Sequence, residues 1–438
     1  MIAALSLAGC LVSGSSSEQT KWSTGFWFWR YSYPGAAPFD EPLDVLFVEV
    51  GQLGQTAWSG EWPDDVPRAR EYWLVYRYER QNVPDSEVLD TLAVEVTRLQ
   101  ASLRKANFNV AGVQLDIDSP TSQLCVYAAF LREFRKKLPK DCQMSITALL
   151  DWFRAGTRID EVISEVDEFV PQFYDVDQRD YREGTAIASP IDAARWGPVF
   201  NRFGKRFRIG VSTFGRARMA RSAEAPARAR DLGIQYFGDL APIDLAADPR
   251  FVTSAGRNAA AELILTYRAT QNLRLGYTRL ETGDAIQFIL ATPETVRAAV
   301  DNAKRMQGHV AGVLFFRWPT RNEALTMQPG EALRAAGAPT KGADPRPKLV
   351  AIPGDCVAVS CQDLYLDGAA PFASDATRYR IHSSSELEYF LAEKNVPVRM
   401  TAPAELVVSI PPYSARGSLY LGRAVTTHKS SFKVQTTP

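Results

Sequence analysis

Two aspartates two positions apart, Asp116 and Asp118, close the run V-A-G-V-Q-L-D-I-D at residues 110–118. The apolar residues before them (Val110, Ala111, Val113, Leu115, Ile117) read as a strand, and residues i and i+2 of a strand lie on one face. Both carboxyls therefore point the same way. Side by side they repel and lose solvation unless something uses or neutralises them. That is how a general acid sits beside a charged partner, and perturbed acids of this kind mark sites. The alternative is that one or both aspartates cap the helix that follows, a role that suits Asp. Ser119-Pro120 stops the strand, and T-S-Q-L-C-V-Y-A-A-F-L-R-E-F-R-K-K-L-P reads as an amphipathic helix. Carboxylates at the C-terminal end of a strand that feeds a helix are where α/β barrels place their chemistry.

Further charges fall near the ends of other strand-like runs. Glu49 lies in D-V-L-F-V-E-V (44–50), and Arg77 and Glu79 in Y-W-L-V-Y-R-Y-E (72–79). Either glutamate could partner Asp116 or Asp118 as a second carboxylate. Arg30, Arg77 and Arg317 would make the same mouth rich in cations. Each of these charges has the alternative of a salt bridge in the polar layer of a barrel mouth. The three histidines, His309, His382 and His428, are scattered without ligand spacing. Neither a metal nor a cofactor is predicted.

The elements that must position these residues alternate between strand and helix. The strands are F-W-F-W-R (26–30), the three runs at 44–50, 72–79 and 110–118, and M-S-I-T-A-L-L (144–150). E-F-V-P-Q-F-Y-D (168–175), F-R-I-G-V-S-T-F-G (207–215) and V-A-G-V-L-F-F-R-W-P (310–319) complete them. A helix over 85–105 has apolar residues at Val88, Leu89, Leu92, Val96, Leu99 and Leu103, a helical spacing. Eight strands, mostly with helices between them, predict a (β/α)8 TIM barrel over residues 22–334. Roughly ninety-five residues separate the last two strands, too many for one crossover. Strand patterns at 262–269 and 284–291 predict an insertion subdomain at about 217–291, and a helix at 293–306 returns to the barrel. A Pro/Gly/Lys linker follows at 335–347. Short alternating runs over 348–438 suggest a small all-β, sandwich-like domain. Such a module binds carbohydrate in some settings and is a spacer or packing support in others, and fold alone does not assign a role.

Composition narrows the partners. Lys+Arg and Asp+Glu both number 50, so the formal net charge is zero, and nothing suggests nucleic acid or an anionic membrane surface. Nine Trp, 16 Tyr and 22 Phe are ample for a large core. Leu7-Ala8-Gly9-Cys10 resembles the lipobox of bacterial lipoproteins, and the Ser/Gly-rich tether after it is of the flexible type. Residues 1–21 are thus expected to be an export remnant and tether, anchoring the protein to the cell envelope by lipid at Cys10. No Lys or Arg precedes the apolar stretch, unlike an ordinary signal peptide, so the true start codon is expected upstream. Cys356 and Cys361, five apart in a turn-rich segment, could form a disulfide. Cys125 and Cys142 would sit roughly 20 Å apart along a helix, so both are read as buried thiols.

Taken together, residues 22–320 resemble the family-eighteen glycoside hydrolases, the chitinase family. Their fourth strand carries D-G-x-D-x-D-x-E. Here Gly112 matches, Gln114 replaces the second Asp, Asp116 matches the last Asp, and Asp118 stands where the catalytic Glu belongs. Tyr174-Asp175 is similar to the family's M-x-Y-D, and G-V-S-T-F-G-R (210–216) to its G-x-P-x-Y-G-R. G-V-L-F-F-R-W (312–318) ends in a Trp where the family keeps its sugar-stacking floor. The resemblance implies glycan cleavage with the substrate's own N-acetyl group as nucleophile. Asp118 would be the acid, Asp116 its orienting partner, and Tyr174 a donor to the developing oxazolinium. Asp175 would bind a hydroxyl and Trp318 would stack under the ring. Asp is one methylene shorter than Glu, so either the fourth strand moves inward or the acid comes from elsewhere, Glu49 or Glu79 in a two-carboxylate mechanism. A barrel that binds polysaccharide without cleaving it, or serves as a scaffold, is the competing reading. Q-L-D-I-D-S-P-T and S-I-T-A-L look still closer to a family of exported bacterial proteins catalogued as domain of unknown function 3142, which implies no activity.

Overall fold

A computed structural model describes residues 22–33, 41–53, 61–80, 82–174, 188–222, 240–321, 323–338, 347–357, 360–369, 372–414 and 417–437. The first strands are β1 (Ser23–Phe28), β2 (Leu43–Gln52) and β3 (Ala69–Tyr78), followed by helix α1 (Val88–Lys105). Three strand–helix units come next: β4 (Val110–Ile117) with α2 (Leu124–Lys137), β5 (Gln143–Leu149) with α3 (Ile159–Ser164), and β6 (Glu168–Gln172) with α4 (Ala193–Asn201). After β7 (Arg206–Ser212) the chain leaves the barrel through β8 (Gly215–Ala220), α5 (Pro242–Ala246), β9 (Phe251–Arg257) and β10 (Leu263–Ala269). The short pair β11 (Leu273–Leu275) and β12 (Thr278–Leu280) leads to β13 (Ala285–Leu290). Helix α6 (Pro293–Arg305) returns it to β14 (Val310–Phe316), and α7 (Pro329–Ala335) follows.

The strands β1-β14-β7-β6-β5-β4-β3-β2 form a closed barrel with every neighbouring pair parallel. This is the (β/α)8 architecture. The first strand begins at Ser23 rather than Phe26, because Ser23, Thr24 and Gly25 pair with Gly312, Val313 and Leu314. Pairing partners override the weak strand preference of Ser and Gly.

Alternation sorts the barrel's side chains into two cores. Phe26, Leu46, Leu74, Val113, Ile146 and Phe315 face outward onto the helices. The helix α1 meets them with Leu89, Leu92, Val96, Leu99 and Leu103, a single apolar stripe. Trp27, Val45, Phe47, Trp73, Val75 and Leu314 face inward and fill the bore. Gly112 lets β4 approach β5 there, since a Cβ on it would lie 1.9 Å from the Gln143 carbonyl oxygen.

The foot of the bore is ionic. Arg208 bonds the Glu168 carboxylate, lies 3.2 Å from Glu71 Oε1, and donates from Nε to Ser23 Oγ at 3.3 Å. Arg206 Nε sits 3.0 Å from the other Glu168 oxygen, and the Trp73 indole donates to Glu71 at 2.8 Å. Both Arg208 and Glu168 are fully buried.

The insertion after β7 is a four-stranded antiparallel sheet, β8-β13-β10-β9, with β11–β12 as a separate hairpin. Its first strand follows β7 after only Thr213 and Phe214. The C-terminal region forms two further antiparallel sheets. One contains β15 (Lys348–Pro353), β16 (Ser360–Ala369), β18 (Leu387–Ala392) and β21 (Gly417–Thr426), in the order β15-β16-β21-β18. The other contains β17 (Thr377–Ser383), β19 (Val398–Ala402), β20 (Glu405–Ile410) and β22 (Phe432–Thr437), in the order β19-β20-β17-β22. Leu364, Leu366 and Leu421 of the first sheet share a core with Tyr379, Ile381 and Val408 of the second, as in a sandwich. Cys356 and Cys361 are joined in a disulfide. Cys142 is buried, but Cys125 is exposed on α2, which corrects the expectation of two buried thiols. The buried stripe of α2 runs through Leu124, Tyr127, Ala128, Leu131 and Phe134, and Cys125 falls on its other side.

Candidate active site

The C-terminal ends of β1 to β5 converge on a group of charges at the barrel mouth. Asp116 lies on β4 with the inward parity of Gln114. Its Oδ1 accepts a hydrogen bond from Thr147 Oγ1 of β5 at 2.7 Å. Its Oδ2 is 4.0 Å from Nε of Arg77, which projects from the end of β3. The Arg77 guanidinium lies 5.4 Å from the Trp29 ring centre and 3.7 Å from Glu79. Glu49 on β2 is buried and accepts the Arg30 backbone N–H at 3.1 Å.

Burial decides the protonation of this group. It pushes the Asp116 carboxyl above the usual range, while Arg77 and the Thr147 hydrogen bond pull the other way without prevailing. Burial likewise raises Glu49, against the Arg30 N–H and Arg77, with the Asp116 charge adding to the rise. A carboxyl raised on folding contributes stability below its unfolded pKa and loses it as pH climbs through the folded value. Glu49→Gln, which keeps an acceptor for the Arg30 N–H, should therefore gain stability relative to wild type as pH rises from about 4 to about 7. Thermal melts across that window check this. A constant difference would mean that folding leaves the Glu49 carboxyl unshifted, and a change in the opposite sense that the charged carboxylate is the favoured form.

Asp118 is placed differently. The ladder ends at Ile117, and Ser119 N–H donates to the Ile117 carbonyl at 2.9 Å, leaving Asp118 exposed at the apex of a tight turn. Its charge and that of Asp116 both add to the upward push that burial gives the Tyr127 phenol. Gln114, one rung below Asp116, accepts from Trp27 Nε1 at 2.7 Å and donates to Ser145 Oγ at 3.1 Å. The amide is locked where the chitinase motif has an acid.

Aromatic residues surround the carboxyls. Tyr174 is buried and stacks face to face on Phe316 at 4.3 Å, with Trp27 and Phe214 edge-on to it. Trp29 meets Phe316 edge-on at 6.0 Å. Trp318 lies elsewhere, which corrects its expected place as a sugar-stacking floor. It is fully buried in the outer core against Phe26 and Phe28, and its indole donates to the Tyr33 carbonyl. The strand ends at Phe316, and the chain then turns so that Trp318 N–H bonds the Trp27 carbonyl. Strand alternation no longer holds past that point. Phe316, half-buried at the mouth, is the aromatic that sequence reasoning missed. Thr147 was missed too, although it shares the inward parity of Ser145.

The remaining candidates scatter. Glu79 and Arg30 are exposed at the rim. Arg317 is tied to Glu323 at 2.6 Å, and Glu323 also accepts from Thr320 and Thr326. Asp175 and Cys10 lie outside the described residues.

Solved structures match this chain at low identity. The spore cortex-lytic enzyme SleL of Bacillus megaterium QM B1551 is 13% identical over 69% of this chain and 72% of its own, with a TM-score of 0.42. A class V chitinase from Nicotiana tobaccum is 12% identical over 68% and 94%, with a TM-score of 0.42. Chitinase ChiA74 from Bacillus thuringiensis is 11% identical over 94% and 100%, with a TM-score of 0.40. No curated protein matches. Residues 77–260, from Arg77 through Asp116, Asp118 and Thr147 into the insertion, match the model of the family described as Domain of unknown function (DUF3142).

Proposed function

We propose that this chain is a glycoside hydrolase-like protein that holds a polysaccharide in its barrel mouth. One observation carries the reading: two carboxyls raised by burial, Glu49 and Asp116, flank Arg77 on the strand between them, at the end of a closed barrel where such folds do chemistry. Glycoside cleavage needs a carboxyl that still carries its proton near neutral pH, and a second carboxylate to attack or to activate water. Asp116 and Glu49 supply that pair, and Thr147 holds the Asp116 carboxyl in orientation. Asp118 at the rim is then a contact for substrate hydroxyls. The N-acetyl-assisted scheme with Asp118 as acid has less support, since Asp118 lies past the last paired residue of β4, exposed at the rim. Trp29, Phe316 and Tyr174 provide the apolar floor on which a sugar ring rests.

Binding without cleavage is favoured by one specific observation, the locked Gln114 amide beneath Asp116. A defined panel of polysaccharides, N-acetylated members included, separates the two readings by product release. If no member is cleaved while one binds and Asp116→Asn abolishes that binding, the barrel is a binding module. If none binds or is cleaved, both readings fail.

We also propose lipid anchorage at the cell envelope through Cys10. Among the described residues no helix is long and apolar enough to cross a membrane. Expressed from its native locus in a bacterium fed labelled fatty acid, the protein should take up label and Cys10→Ala should not. An unlabelled, cytosolic wild-type protein would refute the anchor.

A further inference from the structure

The C-terminal sandwich meets the barrel at the rim of the mouth. Ser32 and Thr320 form a bridge between the segments that follow β1 and β14, and Tyr33 N–H bonds the Pro319 carbonyl at 2.8 Å. From this rim the exposed Arg321 lays its guanidinium over the Tyr33 ring at 4.2 Å and over Tyr365 of β16 at 5.1 Å. One exposed cation thus joins a barrel ring to a sandwich ring.

Tyr365 belongs to a built surface. Leu364 and Leu366 point into the sandwich core, so Asp363 and Tyr365 lie on the sheet's outer face. Tyr420 pairs with Tyr365 across β16 and β21, with ring centres 5.0 Å apart. Its hydroxyl donates to Asp363 at 3.0 Å, and Arg423 donates to both Asp363 oxygens at 2.8 and 2.9 Å. The Arg423 hydrogen bonds hold the Asp363 carboxyl below its usual range, while burial and Asp363 push the Tyr420 phenol up to about 12. Next to Arg423 on the edge strand β18, Leu391 is exposed.

We propose that this outer face is a second carbohydrate-binding surface that extends the barrel mouth and takes a neutral polysaccharide strand. The proposal rests on the reading of the mouth as a glycan site. Tyrosine rings offer the flat apolar face that the C–H side of a pyranose covers, and a ring fixed by hydrogen bonds loses little entropy on binding. Asp363 and Arg423 present acceptors and donors to sugar hydroxyls. Their charges cancel within the pair, which suits a neutral chain. Continuity with the rim through Arg321 sets the occupant: the same strand that enters the mouth runs on across the sheet.

Calorimetric titration of the full chain with chito- and cello-oligosaccharides, each as dimer and octamer, tests this. The octamer should bind more tightly than the dimer. Tyr365→Ala should remove roughly three- to tenfold of the octamer's affinity and leave the dimer unchanged, with Tyr365→Phe close to wild type. Arg321→Ala, on the barrel side, should cut the same increment. If the octamer has no advantage in the wild type, or keeps it in Tyr365→Ala and Arg321→Ala, the surface is not a subsite. Dimer binding that still depends on Asp116 would then leave the mouth reading standing. Octamer binding that needs Tyr365 while dimer binding ignores Asp116 and Glu49 supports the surface and sinks the mouth. Failure of both lengths to bind overturns both.

Discussion

Arg208→Ala should cost about 3–5 kcal/mol of stability, the usual price of breaking a buried ion pair from one side. Arg208 and Glu168 are both fully buried at the barrel's foot, so neither regains water when its partner goes. The substitution leaves Glu168 facing Arg206 alone and leaves Glu71 only the Trp73 indole N–H. Arg206 is itself pulled down by burial and by its neighbour Arg208, so it gains from the loss only in part. Replacing both partners by apolar residues, Arg208→Met with Glu168→Leu, should recover part of the deficit, because no fully buried charge is left behind, although Arg206 and Glu71 each lose a partner. Urea denaturation read at constant slope is the measurement. A single substitution within about 1 kcal/mol of wild type would mean that water reaches the foot of the bore.

Loss of the acid should be as large in rate. On a glycan that the wild type cleaves, Asp116→Asn and Glu49→Gln should each lower kcat by about 10²- to 10⁴-fold, the usual worth of general acid–base catalysis. Asp118→Asn should act mainly on KM. The pH profile distinguishes a proton donor from a residue that merely packs. The Asp116 charge helps to raise Glu49, so removing it lets Glu49 ionise earlier. Residual activity in Asp116→Asn should then fail at lower pH on the basic side than in wild type. A large loss in Asp118→Asn with activity retained in the other two would return the acid to the rim, as in the chitinase motif.

The barrel was legible because its strands, buried on both faces, read as short continuous apolar runs spaced by helical patterns. Within each strand, the parity that puts Phe26 outside and Trp27 inside also puts Asp116 inside. Glu49 and Arg77 follow the same rule. The rule fails where ladders end. Asp118 and Trp318 both lie past the last paired residue, in turns whose direction is set by single hydrogen bonds rather than by alternation. The resemblance to the chitinase motif points to Trp318 as the site aromatic, whereas Phe316, two residues earlier, stacks on Tyr174 in the bore. Buried charge is equally hard to read: nothing local to F-R-I-G-V distinguishes Arg208 from a solvated arginine, because its partners Glu168 and Glu71 lie on other strands. The insertion's strand β8 was hidden because only two residues separate it from β7.

The sandwich's attachments bear on how the molecule would come apart. Ile243 of the insertion sits in the sandwich core, and Leu325, Phe372 and Tyr413 contribute to the insertion's own core. Asn395 donates to Asp244 at 2.9 Å, and the Tyr267 hydroxyl to the Tyr413 carbonyl at 3.4 Å. Insertion and sandwich thus interlock through side chains, over and above the linker that joins barrel to sandwich in sequence. Under load or heat they share one fate, and a protease that severed the linker would nick the chain without releasing a fragment.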